Sequence, residues 1–304
     1  MSEKFKSGFV SLIGLPNAGK STLLNAMVGQ KVAIVADKPQ TTRTSVQGVL
    51  TLPGAQIVFV DTPGIHKADT PLNKRLMQTV RNSLEERDLL LFLADATSPF
   101  GERDRRALDL AGKTGTPVVL VLNKIDLVKE KAKLLPLIEE YKRHFAFAEY
   151  VPVSAAKKKG LDELQRVILS RLPEGPAYFP EDYITDQPER FLAAELIREK
   201  ILQATRQEVP HSIAVMVDKW EETPRITRIF ATIRVERDGQ KAIVIGSKGA
   251  MLKRIGTLAR EEMERLFGVK IYLDLHVRVQ PGWREQPAFL NALDWRTMAG
   301  EDDH

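Results

Sequence analysis

The sequence contains no cysteine. Disulfides and thiolate metal sites are therefore excluded, which fits a reducing compartment. No apolar stretch approaches the roughly 18 residues that a membrane span needs. The first residues, Met1-Ser2-Glu3-Lys4-Phe5-Lys6, carry no apolar signal-peptide core, so no secretory leader is expected. Excess charge is also scarce: 45 Lys and Arg stand against 40 Asp and Glu, a net charge of +5. That mild surplus points to a nucleic acid or an anionic membrane surface as partner. With 304 residues, 43% of them hydrophobic and 28% charged, the chain suits a globular protein of two ordinary domains.

What is present begins with Gly14-Leu15-Pro16-Asn17-Ala18-Gly19-Lys20-Ser21. This G-x-x-x-x-G-K-S stretch follows the apolar run Phe9–Ile13 and precedes Thr22-Leu23-Leu24-Asn25-Ala26-Met27. Strand, glycine loop, helix is the context in which such a loop cradles phosphates with its backbone N–H groups. Gly14 to Thr22 are thus the candidate phosphate-binding residues. Lys20 is expected on the outer phosphates and the Ser21 hydroxyl on Mg²⁺.

Continuous apolar runs at Gln56–Val60, Leu89–Leu93 and Val118–Leu122 suit parallel strands covered on both faces. Val32–Val35 and Val46–Leu50 read as strand pieces around a loop. Helical patterns occupy Leu72–Leu84, Glu102–Lys113, Lys131–Phe145 and Leu161–Leu172. The prediction is an α/β doubly wound, mostly parallel sheet with its ligand at the strand C-termini. Asp61-Thr62-Pro63-Gly64-Ile65 follows Val60: the Asp61 carboxylate suits Mg²⁺, and the Gly64 N–H suits a γ-phosphate whose loss releases a switch. Asn123-Lys124-Ile125-Asp126 follows Leu122. The Asp126 carboxylate can accept from N1–H and the 2-amino group of guanine, donors that adenine lacks there, and the Lys124 stem would cover the base. Val153-Ser154-Ala155 would place the Ala155 N–H near guanine O6. Together these motifs predict a GTP site and resemble the translation-factor-like branch of the GTPases. Pro39-Gln40-Thr41-Thr42-Arg43 supplies the threonine expected on Mg²⁺ beside Ser21 and Asp61. Thr42 is the choice and Thr41 the alternative, since spacing does not separate them.

No catalytic residue is evident. Ile65 stands where a water-orienting glutamine follows the D-x-x-G glycine in Ras-type enzymes, so slow hydrolysis is expected unless a partner or cation assists. Asn17 resembles an asparagine with which some P-loop proteins bind K⁺ near the phosphates. His66 reads as an exposed switch residue, because nothing near it in sequence would orient it as a base.

Pro173-Glu174-Gly175-Pro176-Ala177-Tyr178-Phe179-Pro180 breaks the α/β pattern and reads as an ordered connector. A helix over Phe191–Leu202 follows, then strands at Ile213–Val217 and Ile226–Glu236. A tight turn is expected at Asp238-Gly239 and an apolar strand at Ala242–Ile245. Gly246-Ser247-Lys248-Gly249 comes next, then a helix over Met251–Phe267 and a strand over Val269–Val279. G-x-x-G is the loop with which KH domains clamp about four nucleotides. Between Lys241 and Arg284 nine basic residues face four acidic ones, the surplus that RNA binding needs. Gly246, Ser247, Lys248, Gly249, Lys253 and Arg254 are the candidate RNA contacts.

A P-loop GTPase set, the Pro39–Arg43 stretch, Pro180-Glu181-Asp182-Tyr183-Ile184-Thr185-Asp186 and Ile245-Gly246-Ser247-Lys248-Gly249 in one chain resemble the Era family of bacterial GTPases, over about residues 7–285. Leu15 and Ala18 depart from the arginine and valine usual there. The resemblance implies a GTPase domain at 1–172, a linker at 173–189, a smaller α+β type II KH domain at 190–285 and a C-terminal tail at 286–304. It implies Mg²⁺ as cofactor, GTP and GDP as substrate and product, and K⁺ beside Asn17. It further implies the 3′ end of 16S ribosomal RNA and the 30S subunit as partners, a role in small-subunit maturation, a monomer, and a cytoplasmic place with peripheral inner-membrane association. The alternative is a membrane-associated signalling GTPase whose basic second half binds lipid or protein. An RNA-modification GTPase would need an added catalytic domain or cysteine.

Overall fold

The computed structural model describes residues 4–38, 40–65, 70–205 and 209–295. The expectations for Pro39 and His66, and the part of the expected C-terminal tail from residue 296 on, lie outside these residues. The chain forms two compact units: Met1–Ala33, Thr42–Asp69 and Asn73–Asp186 make the first, and Ile34–Thr41, Thr70–Leu72 and Gln187–His304 the second.

In the first unit the apolar runs become strands β1 (Lys6–Gly14), β3 (Ala55–Asp61), β4 (Leu89–Asp95), β5 (Val118–Asn123) and β6 (Glu149–Pro152), with β2 (Val46–Leu52) at the edge. The order is β2-β3-β1-β4-β5-β6, and only β2 runs antiparallel to its neighbour. Leu89 to Leu93 are wholly buried because both sheet faces are covered. Each such side chain contributes about 1.5–3 kcal/mol. α1 (Lys20–Val28) and α5 (Leu161–Arg171) pack on one face, and α2 (Pro71–Asn82), α3 (Glu102–Gly112) and α4 (Leu134–His144) on the other. The parallel register sets Gly14, Asp61 and Asn123 at the carboxyl ends of β1, β3 and β5.

The strand expected at Val32–Val35 does not form. Its backbone is satisfied by side chains instead: Asn25 Oδ1 accepts from the N–H groups of Val32 and Ala33, both at 2.9 Å, and Asn25 Nδ2 donates to Ala33 O at 2.7 Å. Val35 N–H donates to Glu199. A single asparagine outside the run thus decides its conformation. The connector is fastened to the first unit through Asp186. Ser7 Oγ donates to Pro176 O at 2.6 Å, Gln56 Oε1 accepts from Tyr178 and Phe179 N–H, and Val49 N–H donates to Ile184 O at 2.8 Å.

In the second unit the order is α6 (Glu189–Ala204), β7 (Ala214–Glu222), β8 (Thr227–Val235), α7 (Asp238–Ile245), α8 (Ala250–Phe267) and β9 (Ile271–Val279). β7 pairs antiparallel with β8, and β8 parallel with β9. The expected turn at Asp238-Gly239 and strand at Ala242–Ile245 are instead helix α7. Gln240 decides this: its Oε1 accepts from the N–H groups of Glu236 and Arg237 at the helix start, while Gly246, at φ 72°, ends the helix. α8 buries Ile255, Ala259 and Met263, one residue per turn, and stops at Gly268. In the stretch read as a tail, Pro287–Ala292 forms α9, and Trp283 just before it is fully buried with its indole N–H on Ser212 O.

Candidate functional site

The loop between β1 and α1 is shaped by contacts that leave no room for larger residues. A side chain at Gly19 (φ 94°) would drive its Cβ into Asn123 Nδ2. Lys20 is 6% exposed, and its ammonium donates to the carbonyls of Gly14 (3.2 Å) and Leu15 (3.0 Å). Asn17 holds a left-handed conformation at φ 62°, one that asparagine tolerates better than most residues, and is exposed.

Three oxygen-bearing side chains meet beside Lys20. Ser21 Oγ donates to Asp61 Oδ2 at 2.6 Å and lies 2.9 Å from Thr42 Oγ1, which is itself 3.4 Å from Asp61 Oδ2. Thr41 is elsewhere: its hydroxyl donates to Lys38 O (2.6 Å) and Ala36 O (3.1 Å). The structure therefore brings Thr42, and not Thr41, to Ser21 and Asp61. The other carboxylate oxygen of Asp61 is buried and has no hydrogen-bond partner. Burial pushes the Asp61 carboxyl up against the opposing pull of Lys20 and the hydroxyls, and pulls the Lys20 ammonium down to about 8. A hard divalent cation suits this set: an orphaned carboxylate oxygen beside two hydroxyls.

Gly64 lies directly over the loop, where a Cβ would come within 2.8 Å of Pro16. Ile65 N–H donates to Gly14 O at 3.2 Å, and its side chain joins Leu15 against the apolar cluster. Nothing on Ile65 can orient water. Thr62 is buried and donates to Leu12 O at 2.7 Å, so its side chain anchors the strand end.

The β5 end is braced by Asn123, 2% exposed. Its amide donates to Ala18 O (2.9 Å), and its Oδ1 accepts from the N–H groups of Lys124 (2.8 Å) and Ala155 (3.0 Å). One side chain therefore ties the glycine loop to the loop after β6. Asp126 is exposed; the Ser154 hydroxyl donates to it at 2.6 Å and keeps its carboxyl below the usual range. Lys124, at φ 66°, pairs with Asp95 at 2.7 Å. Asp95 joins the site in addition to the residues expected from the motifs, and its place at the polar end of β4 is the same sequence signal that marks Asp61 at the end of β3. Burial opposes its charge, but Lys124 and Thr97 outweigh that and hold its carboxyl low.

In the second unit Gly246, Ser247, Lys248 and Gly249 link α7 to α8. Lys248 and Gly249 are left-handed, at φ 49° and 78°, and a Cβ at Gly246 would lie 2.6 Å from Met251 Cβ. A cleft of about 370 Å³ opens here, lined by Gly249, Leu252, Lys253, Gly256, Thr257, Arg260, Leu273 and Leu275. Of the sequence candidates Gly249 and Lys253 line it, while Arg254 is exposed on α8 away from the lining. The helical spacing from Gly249 through Lys253, Gly256 and Arg260 was the available signal for the others.

A family model described as a 50S ribosome-binding GTPase matches residues 9–124, and a KH-domain model matches 208–284. The chain is 50% identical to the GTPase Era of Geobacter metallireducens over 293 residues, 96% of this chain and 98% of that one. It is 50% identical to the GTPase Era of Geotalea uraniireducens over 297 residues, 97% of this chain and all of that one. The chain belongs to the Era family of GTPases. Two solved Era structures each superpose with a TM-score of 0.92 at 44% identity, covering 96% of this chain and 99% of theirs: a point variant of Aquifex aeolicus Era bound to GDP·AlF₄⁻, and Era in complex with MgGDPNP and nucleotides 1506–1542 of 16S ribosomal RNA. A P-loop GTPase domain with a mostly parallel sheet, followed by a KH domain, is the architecture of this family member. Among the described residues no helix is long and apolar enough to cross a membrane.

Proposed function

We propose that the chain is a GTP-controlled switch that binds the 3′ end of 16S ribosomal RNA through its KH domain and assists 30S maturation. The observation that supports this reading most strongly is that one chain supplies both the Ser21–Thr42–Asp61 oxygen cluster at a P-loop and a basic cleft behind a G-x-x-G loop. The Era structure with MgGDPNP and 16S nucleotides holds both kinds of ligand in one relative.

In this reading residues 1–172 form the GTPase domain, 173–189 the linker and 190–285 the KH domain. The loop from Gly14 to Thr22 wraps the phosphates, and Lys20 neutralises the outer ones. Ser21, Thr42 and Asp61 hold Mg²⁺, which supplies positive charge to the phosphate oxygens. Gly64 offers its N–H to the γ-phosphate, with Thr62, Pro63 and Ile65 completing that loop. Asp126, braced by Ser154, selects guanine, and Asn123 holds the Lys124 and Ala155 N–H groups in place around the base. Because Ile65 is engaged in apolar packing, hydrolysis is slow until another group orients water. K⁺ at Asn17 is one candidate, and a rate unchanged on replacing K⁺ by Na⁺ removes it. In the KH domain Gly246 to Gly249 admit the sugar-phosphate backbone, while Lys253 adds charge along the cleft and Arg254 at the surface beyond it. The protein acts as a monomer in the cytoplasm, with peripheral association at the inner membrane; fractionation after a high-salt wash tests that placement.

The deciding experiment is binding of a short single-stranded RNA carrying the 16S 3′ terminal sequence, with GDP and with a non-hydrolysable GTP analogue, against a scrambled control. Tight binding favoured by the analogue is expected. Binding no better than the scramble overturns the RNA reading and leaves the GTPase intact.

A further inference from the structure

Lys124, just after β5, is held at two points. Its N–H donates to Asn123 Oδ1 at 2.8 Å, and its ammonium donates to Asp95 Oδ2 at 2.7 Å. Asp95 closes β4 and stands opposite Asn123 in the parallel register. The backbone is stitched there as well, since Ala96 N–H donates to Asn123 O at 2.9 Å. The Asp95 carboxylate is itself locked. Its other oxygen, Oδ1, accepts the Thr97 N–H at 2.9 Å and the Thr97 hydroxyl at 2.6 Å. The ion pair is sheltered but not sealed: the side chains of Lys124 and Asp95 are 28% and 23% exposed. A pair this accessible contributes little to folding stability. Lys124 nonetheless keeps a left-handed backbone at φ 66°, a conformation that lysine rarely adopts and that clusters at ligand clamps. All of these groups lie in the first unit.

Between the two fixed points runs the flexible four-carbon stem of the lysine. A free lysine side chain samples many rotamers, and losing them on contact with a ligand opposes binding. Here that freedom is lost on folding, before any ligand arrives. We propose that Asp95 is a positioning residue for nucleotide binding: it holds the Lys124 ammonium so that the stem is preset as one wall of the guanine slot. A carboxylate suits this task, because a charge-assisted hydrogen bond competes with water for the ammonium better than a neutral amide does. The inference rests on the reading of Lys124 as the residue whose stem covers the base.

The test uses the full chain with Mg²⁺, titrated with a fluorescent GDP analogue. GTP turnover and thermal melting of the nucleotide-free protein are measured on the same preparations. Lys124→Ala tests the underlying reading and Asp95→Asn the inference. Asp95→Asn, nearly unchanged in shape, weakens GDP binding about fivefold to tenfold, the effect of freeing one long side chain. It raises the KM for GTP by a similar factor and leaves kcat within about twofold, because Lys20, Ser21 and Asp61 are untouched. The double variant carries the signature: with Lys124 already alanine, Asp95→Asn adds less than about twofold. If Asp95→Asn does not melt as a folded protein, Thr97→Ala, which frees one carboxylate oxygen from its hydroxyl, weakens GDP binding about twofold; wild-type affinity there overturns the inference. A folded Asp95→Asn protein with wild-type GDP affinity also overturns it. So does a loss that is equal with and without the Lys124 stem, or a fall in kcat that exceeds the loss of affinity. If Lys124→Ala itself leaves GDP affinity unchanged, the reading of Lys124 as the cover of the base has failed.

Discussion

Lys20 and Asp61 lie in each other's field, yet burial drives each toward its neutral form. A polyphosphate with its cation supplies the charges that both lack. Mg²⁺-GDP at about 100 times its Kd adds roughly 2.7 kcal/mol of stability, about 5–10 °C in melting temperature for a domain of this size. Differential scanning fluorimetry should show that gain in the wild type and most of it lost in Lys20→Ala. Asp126 acts by a different route, since its carboxylate is preset by the Ser154 hydroxyl. Asp126→Asn removes charge-assisted hydrogen bonds to guanine and should weaken GDP binding roughly 30- to 1000-fold. Ser154→Ala, which frees the carboxylate and the Lys157 N–H that the hydroxyl accepts at 3.2 Å, should cost about fivefold. Equal losses in the two variants, measured by fluorescent-nucleotide titration, would show that Ser154 does more than orient Asp126.

Among the elements, the loops after β1, β5 and β6 hang on one amide. Asn123→Ala strips partners from Ala18 O and from the N–H groups of Lys124 and Ala155. It should cost about 2–3 kcal/mol in urea unfolding and weaken GDP and GTP alike. Gly64→Ala should separate the two nucleotides instead. Its Cβ would press on Pro16, so the loop after β3 is displaced and hydrolysis falls steeply while GDP affinity is kept. The parallel strands and the order of the motifs were legible in the sequence because continuous apolar runs and glycine loops carry local signals. Val32–Val35 and Ala242–Ile245 were not. Their β-branched residues suggest strand, but Asn25 satisfies the backbone of the first and Gln240 opens a helix through the second. Arg198 on α6, 2% exposed, is illegible for a related reason: beside Glu195, three residues back, its acceptors are the backbone carbonyls of Gln40 and Thr41, more than 150 residues away, and carbonyls leave no mark in a sequence.

For the whole molecule, the basic cleft sets how RNA affinity responds to salt. Four phosphate contacts on a single strand predict a log–log slope of roughly −3. Gly246→Asp with Gly249→Asp should abolish that binding in a folded protein. If GTP state gates the cleft, RNA affinity differs between GDP and GTP-analogue forms at fixed salt, and by linkage RNA alters nucleotide affinity by the same factor. Within the second unit Glu199 joins the Val35 N–H to Lys200 at 2.9 Å, and Lys200 reaches Glu262 on α8, the helix that lines the cleft.

The passage of Ile34–Thr41 into the second unit bears on how such proteins can be recombined. Cutting the chain at the connector does not yield two finished parts. A fragment starting at Gln187 would strip Arg198 and Glu199 of their backbone partners, and would remove Ile34 and Ala36 from its core. A chimera joining the front half of one relative to the back half of another therefore inherits a mismatch unless these eight residues travel with the back half. The natural module of exchange is discontinuous in sequence, and evolution by simple fusion at the connector would have had to repair that seam afterwards.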